Sequence, residues 1–497
     1  VNRNTLFDVV VIGAGASATA FITSFYTLHK SSKTPIKIAV VDKKENVGCG
    51  EIYKEDFSWL LMNTPTENLS AQIGCHNDFE RWAKKNAPTN YKNARFVPRH
   101  LFGSYLKNKF LFVQKKAAKN NLLIMLIDDA VQKVDADANA YYATLHLTSG
   151  GKITAKFVVF ATGPGVPIDA YQLQGAQNYL HQPFPACVKL QLIPKEAKVG
   201  ILGTSLTAID VAISLKHLNH QGKIVMLSKH GRLPQVKGFD LDPIPPGNVS
   251  FENYKKMAIK NGGYLNLKLL LKPIRKHLIL HGHDWRSCFF NKELQPDNSC
   301  VLGKKIQDAE KGKTLFNLIL GLIPEVNKAW RLILKDQLDY FMKYFFKGVN
   351  QKHGAMPLVN AKKIQSLLVS RQLEIKSGVQ AIKQAGDKFE IKLSNDITER
   401  YDFIVNASGL ARMVCGKIIK IPYLDLCHNN KISELTTGGI FVDTPSGRIM
   451  NKNGKFDTRL RAIGHVAEGS HPFTNNFDWI VYSGYEVAQA ILNEIFN

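Results

Sequence analysis

Cysteine is scarce in this 497-residue chain. The seven residues stand at 49, 75, 187, 288, 300, 415 and 427, with no C-x-x-C and no close pair. That spacing excludes a structural zinc knuckle and a redox-active dithiol, so no metal is expected. It is the usage of a reducing compartment. Acidic side chains are also short, 41 against 65 Lys and Arg, which leaves a net charge of +24. No long apolar run is present: the most apolar window, Leu315 to Pro324, falls well below the about 20 residues that cross a bilayer. Val1 to Asp8 leads straight into a strand without a signal-peptide core. No basic run is interleaved with aromatics as single-strand binders require, so nucleic acid is not an expected partner. The reading is a soluble, cytoplasmic protein. Its basic surplus favours phosphates or anionic lipid, although frequent Lys, Asn and Ile would also follow from an AT-rich genome. Peripheral membrane contact and a homo-oligomer are left open.

What is present is a globular composition, 45% hydrophobic and 21% charged, in a length that suggests roughly three structural units. Phe7-Asp8-Val9-Val10-Val11-Ile12 is a run of β-formers suited to burial on both faces, as in a parallel sheet. It stops at Gly13-Ala14-Gly15-Ala16-Ser17-Ala18, and Ala20, Phe21, Ile22, Phe25 and Leu28 follow with helical spacing. Strand, glycine turn and helix make a dinucleotide turn. Gly13 makes the tight bend, Gly15 lets a pyrophosphate approach the backbone, and Ala18 replaces the third glycine. The helix N-terminus offers free N–H groups and a positive dipole end. The next strand, Ile36 to Val41, ends at Asp42, where a carboxylate can accept the hydroxyls of an adenosine ribose.

The same grammar recurs near residue 200. Val199-Gly200-Ile201-Leu202 leads into Gly203-Thr204-Ser205-Leu206-Thr207-Ala208, then a helix, then the strand Lys223 to Leu227. This strand ends in Ser228-Lys229-His230-Gly231-Arg232, without an acid. Ser228, Lys229 and Arg232 suit a 2′-phosphate, which a carboxylate would repel. Two further buried strands close on small-residue turns, Ala161-Thr162-Gly163-Pro164 and Asn406-Ala407-Ser408-Gly409, each after a meander. Near the C-terminus a strand ends at Gly464-His465, and His471 and Asn475-Asn476-Phe477-Asp478 precede a last helix.

The chain resembles the two-domain flavoprotein oxidoreductases, and more finely the bacterial FAD-NAD(P)-binding protein family related to flavin-dependent N-hydroxylating and class B monooxygenases. The segments that carry the finer likeness are Gly48-Cys49-Gly50 with Tyr53, Leu61-Met62-Asn63-Thr64-Pro65, Phe96-Val97-Pro98-Arg99-His100-Leu101-Phe102-Gly103-Ser104-Tyr105-Leu106, Leu227 to Pro234, and Asp284-Trp285-Arg286. The resemblance implies an α/β fold of two Rossmann-like domains. An FAD domain at 1–165 and 411–497 would carry an inserted NADPH domain at 166–410, itself bearing a helical insert at 236–356. It implies FAD held by Gly13, Gly15, Ser17, Ala18, Asp42, Lys43, Asn63, Arg99, Val131, Thr162, Gly163, Gly464, His465, Asn476 and Phe477. NADPH would be held by Gly203, Ser205, Leu206, Ser228, Lys229 and Arg232. His465 stands where many flavoproteins have Asp.

An oxygenase of this kind forms a C4a-hydroperoxyflavin, and the protein supplies position, polarity and dryness. Asn63 is a candidate neutral donor near flavin N5, and Arg99 a candidate phosphate or coenzyme partner; these two are the expected catalytic residues. The expected partners are a small polar amine or amino acid and molecular oxygen. Two other readings stand beside this one, a flavin-dependent NAD(P)H reductase without oxygen insertion and a membrane-surface or regulatory flavoprotein. In the insert, Leu315 to Val349 is apolar-rich, and Pro324 is expected to break it into two helices. Residues 251 to 355 hold 19 Lys/Arg against 9 Asp/Glu. A lid over the substrate, a core cover and an oligomer contact all fit that pattern.

Overall fold

In this computed structural model the chain divides into two compact units, Val1–Gly165 with Arg412–Asn497, and Val166–Ala411. The residues described are 5–136, 140–165, 167–286, 296–345, 354–394, 396–409, 432–433, 439–468, 470 and 476–497. His471 and Asn475 lie outside them, as do Cys288, Cys415 and Cys427.

In the first unit, the Val-rich run forms β1 (Thr5–Ile12), and Val9, Val10 and Val11 are wholly buried. Burial on both faces is what a central parallel strand demands. Helix α1 (Ala16–His29) returns the chain to β2 (Ile36–Asp42), parallel to β1 with Val10 opposite Ala39. Helices α2 (Asp78–Asn86) and α3 (Arg99–Ala117) lead to β3 (Leu122–Asp128), parallel to β2. Strands β4 (Val131–Asp135) and β5 (Ala143–Leu147) form an antiparallel meander that turns into β6 (Lys152–Phe160). Strand β6 lies parallel to β1 on the side away from β2.

The second unit repeats the plan. After β7 (Tyr179–Leu180) and a short α4 (Ala186–Lys189), β8 (Val199–Leu202), α5 (Leu206–His217) and β9 (Ile224–Ser228) form a second strand–turn–helix–strand. Helices α6 (Phe251–Lys260), α7 (Leu267–Leu280), α8 (Ser299–Glu310), α9 (Leu315–Trp330) and α10 (Lys335–Tyr344) follow, then α11 (Leu358–Val369). Strand β10 (Leu373–Ser377) joins β9 in parallel. Strands β11 (Val379–Ala385), β12 (Lys388–Leu393) and β13 (Thr398–Tyr401) make a separate antiparallel sheet. Strand β14 (Phe403–Asn406) completes the order β10-β9-β8-β14-β7.

The chain then finishes the first sheet. Strand β15 (Arg448–Met450) pairs β16 (Phe456–Ala462), which lies parallel to β6, giving β15-β16-β6-β1-β2-β3. Helix α12 (Phe477–Phe496) packs on α1. Its Val487, Ile491 and Leu492 are buried in the core that holds Phe21 and Phe25, each contributing about 1.5–3 kcal/mol by burial. The α/β class with parallel sheets is as expected.

Pro324 departs from expectation. Helix α9 runs through it and ends at Trp330, and the break falls before Lys335. Leu318, Leu322, Ile323, Val326 and Trp330 form one buried stripe on both sides of the proline. That burial outweighs the about 3 kcal/mol that an interior proline costs. No described helix is long and apolar enough to cross a membrane.

Candidate cofactor site

The first glycine turn is shaped by the strands around it. Gly13 N donates to Val41 O (2.9 Å), and Ala161 N donates to Ile12 O (2.9 Å). Gly13 has φ +101°, and a Cβ there would stand 2.5 Å from Ala161 O. The position therefore excludes every other residue on both conformation and space. Gly15 is the N-cap of α1 and provides no side-chain cap, and the first turn holds no acid. Its free N–H donors give this helix end a positive character that no side chain of the first turn offsets. A Cβ on Gly15 would meet Gly50 Cα at 3.2 Å. The glycine thus answers to a second glycine turn as well as to a ligand.

Asp42 ends β2 with both oxygens engaged. Oδ2 accepts from Ala14 N (2.8 Å), and Oδ1 accepts from Lys43 N (2.7 Å) and Asn46 Nδ2 (2.8 Å). The carboxylate ties the glycine turn to the end of β2, and its remaining lone pairs are what a ribose could use. Asn46 Oδ1 and Thr162 Oγ1 are buried without a hydrogen-bond partner. A buried polar atom without a partner is costly, about 1–3 kcal/mol. A hydroxyl-bearing dinucleotide laid across this turn would supply partners to both, so the residues present fit FAD.

The other expected flavin contacts gather in part. A Cβ on Gly464 would fall 2.3 Å from Ser17 Oγ, so the C-terminal turn sits on the first turn of α1, just before Ala18. Gly163 has φ +70° and open space where a Cβ would stand. His465 Nδ1 lies 3.8 Å from Glu468 Oε2. Asn476 caps α12 by accepting from Asp478 N (2.9 Å). Phe477 meets Phe102 of α3 edge-on at 5.0 Å. Lys43 is exposed, and Val131 is a buried core position opposite Leu147 in β5.

Asn63 and Arg99, distant in sequence, share one backbone ladder. Leu61 bridges Pro98, Met62 N donates to Val97 O (2.8 Å), and Arg99 N donates to Leu60 O (2.9 Å). Arg99 Nε also donates to Leu61 O (3.1 Å). Arg99 is the first residue of α3, and both it and Asn63 are half-buried. Burial pushes the Tyr53 phenol up, and the nearby Arg99 guanidinium pulls it partly back. Three of the segments that carry the sequence resemblance thus converge on one place. Cys49 donates its S–H to Glu45 O (3.1 Å) and is pushed up, first by burial.

In the second unit Gly203 has φ +127°, and its Cβ would stand 2.4 Å from Ala407 O. Gly203 N donates to Leu227 O (2.7 Å), and Ala407 N donates to Leu202 O (2.9 Å). Ser205 is the exposed N-cap of α5, with no side-chain cap, and Leu206 opens the helix. Ser228 Oγ accepts from Gly231 N (2.9 Å) and lies 3.3 Å from Thr204 Oγ1. Lys229 is exposed at the same strand end.

Arg232 stands differently from its expected role as a 2′-phosphate partner. Its Nη1 donates to Asp297 Oδ1 (3.0 Å), while Lys305 Nζ (2.6 Å) and Leu233 N (2.9 Å) donate to Oδ2. Asp297 is almost wholly buried, so it needs these donors. Within this turn Lys229 is then the more accessible cation. Sequence reading missed Asn46 and Asp297. Asn46 carries a signal, being four residues after the acid that ends β2. Asp297 carries none, because its contact with Arg232 spans the helical insert.

Residues 10–165 match a family model described as FAD-NAD(P)-binding, so the first unit carries an FAD-NAD(P)-binding domain. No curated protein matches the chain in sequence. Among solved structures, L-lysine 6-monooxygenase from Pseudomonas syringae is similar at a TM-score of 0.59 and 14% identity, covering 98% of this chain and 99% of that one. A cadaverine monooxygenase of desferrioxamine biosynthesis from Erwinia amylovora is similar at 0.56 and 12%, covering 99% and 95%. Ornithine N-hydroxylase from Kutzneria sp. 744 is similar at 0.56 and 11%, covering 98% and 99%.

Proposed function

We propose that this chain is an FAD-dependent, NADPH-using monooxygenase that N-oxygenates the side-chain or terminal amine of a small polar amine or amino acid. The observation that carries the flavin part is the pair of buried partnerless atoms, Asn46 Oδ1 and Thr162 Oγ1, at a glycine turn that no side chain could occupy. The fold shared with lysine, ornithine and cadaverine oxygenases supports the reaction class. So does the absence of any C-x-x-C from the sequence, since a dithiol disulfide reductase needs a close cysteine pair.

FAD, when bound, supplies hydride acceptance and oxygen activation. The chain's own residues do the rest. The Gly13–Ala18 turn and the α1 N-terminus receive the diphosphate, and Asp42 and Asn46 the adenosine ribose. Asn63 contributes a neutral amide donor. Such a group can hold an anionic oxygen by hydrogen bonding without delivering a proton to it. Arg99, whose Nε donates to Leu61 O, supplies a cation at the same backbone ladder. Ser205 and Leu206 at the α5 N-terminus receive the NADPH diphosphate, and Ser228 and Lys229 its 2′-phosphate. A cytoplasmic location, where NADPH is kept reduced, is part of this reading.

Oxygen uptake with NADPH, screened over lysine, ornithine, cadaverine and related polyamines, tests this reading. A true substrate yields a hydroxylamine in proportion to the NADPH consumed, with little peroxide. Stoichiometric peroxide with every amine replaces the oxygenase with the reductase reading.

A further inference from the structure

Helix α7 has two faces. Leu267, Leu270, Ile274, His277 and Leu278 are buried, which places one stripe against the rest of the unit. The opposite stripe, at 268, 272, 275, 276, 279 and 280, is exposed throughout. It reads Lys, Lys, Arg, Lys, Ile, Leu: four cations, then two aliphatics at 52% and 79% exposure. Beyond the helix, the Trp285 ring has the Arg275 guanidinium at 4.8 Å and that of Arg286 at 5.1 Å.

The lysine charge on this stripe does not serve the fold. Among the described residues, Lys268, Lys272 and Lys276 have no ion-pair partner. Lys268 stands in the first helical turn, where a cation opposes the helix dipole. From Asn253 to His283 the sequence holds seven Lys/Arg and no Asp or Glu. The preceding α6 shows the same mixture outward, with Lys255, Lys256 and Lys260 exposed and Ile259 76% exposed.

We infer that the outer face of α7 is a docking surface for an anionic lipid bilayer. Cations alone would equally suit any polyanion. Exposed Ile279 and Leu280 add what a nucleic acid or soluble anion does not use. A bilayer interface takes aliphatic and indole groups into its acyl boundary while its headgroups meet the lysines. The face lies in the second unit, outside the glycine turns, so the inference does not depend on the reaction proposed above.

Vesicle flotation of the flavin-loaded 497-residue chain tests it. The protein should float with phosphatidylserine–phosphatidylcholine vesicles, stay behind with pure phosphatidylcholine, and be released by high salt. The pair Lys272→Glu and Lys276→Glu should lower vesicle affinity about tenfold or more, at roughly 1 kcal/mol for each basic residue near the surface. Leu280→Ser, which changes no charge, should also weaken vesicle binding, while NADPH-driven flavin reduction stays at the wild-type rate in both variants. Absence of flotation at low salt overturns the inference. So does single-stranded DNA binding as tight as vesicle binding and indifferent to Leu280→Ser, which would make the face a polyanion site. A concentration-dependent dimer abolished by Leu280→Ser, without vesicle binding, would make it a self-contact and overturn it equally.

Discussion

The two glycine turns are nearly the same object built twice. In each, a glycine with strongly positive φ leaves no space for a side chain, because a carbonyl at the end of a neighbouring strand, Ala161 O or Ala407 O, lies about where Cβ would be. In each, the turn is tied to the end of the next strand, by Asp42 through Ala14 N or by Ser228 through Thr204. The difference lies in charge. The first turn ends on a carboxylate, the second on a neutral hydroxyl. Two buried atoms of the first, Asn46 Oδ1 and Thr162 Oγ1, have no hydrogen-bond partner. At the second, Thr204 pairs with Arg232 O, Arg232 Nη1 with Asp297, and Asn406 with Ile168 O and Ser408. Unmet polar atoms suit a ligand that carries hydroxyl groups.

The sharpest way to break this comparison is to fill one glycine at a time. Gly13→Val should leave the protein without flavin, visible as loss of its yellow colour. Gly203→Val should leave flavin in place and cut the affinity for NADPH by on the order of a hundredfold, read from stopped-flow flavin reduction. Backbone strain alone costs about 1–3 kcal/mol at such a position, before the clash with the facing carbonyl. If Gly203→Val also loses flavin, the division of labour between the turns is wrong. Next in size, Asp297→Ala leaves Arg232 and Lys305 without their counter-charge. Unfolding of the second unit should become easier by roughly 3 kcal/mol in urea titration, with flavin retained until the transition. An unchanged midpoint would show that the pair contributes little.

Asn63 sharpens the first turn's side. Asn63→Leu should keep FAD, because no phosphate contact is removed. The share of NADPH oxidation that ends as peroxide should rise by on the order of a hundredfold relative to product, since one aimed donor contributes about 2.7–4 kcal/mol. Peroxide and hydroxylamine assayed on the same sample decide it. The smallest effect concerns the strand ends. Ser228→Asp makes the second turn resemble the first in charge, and should shift the coenzyme preference from NADPH toward NADH by about tenfold or more, given 1.5–3 kcal/mol for a charge-assisted bond. Equal reduction rates with both coenzymes in the wild type would remove Lys229 from its proposed role.

The turns were legible in the sequence because their logic is local. Strand composition, glycine spacing and the residue closing the next strand all lie within about 30 residues, and the structure has β1, α1 and β2 where the pattern put them. What escaped was non-local. Nothing near Arg232 announces that Asp297 will claim it, and nothing near Gly15 announces the facing Gly50. Pro324 misled for a related reason. Its local penalty was visible, but the apolar stripe that outweighs it depends on partners elsewhere in the fold. Asn63 and Arg99 could be nominated by resemblance, yet only the ladder between Leu60–Met62 and Val97–Arg99 shows that their segments pair.

Gly464 resting on Ser17 has a consequence for how the protein comes into being. A chain growing toward its C-terminus makes the β1–turn–α1 segment first, but the carbonyl that shapes Gly13 belongs to residue 161, and the lid on Ser17 arrives only after the whole second unit has been made. Contacts of such long sequence separation form slowly, and partly made domains expose apolar surface in the meantime. The nascent first unit thus waits, with Val9 to Val11 and α1 lacking their C-terminal cover, while the whole second unit is made. Shortening the chain from its C-terminus by even the last helix should leave a half-built cradle, prone to aggregate before any cofactor reaches it.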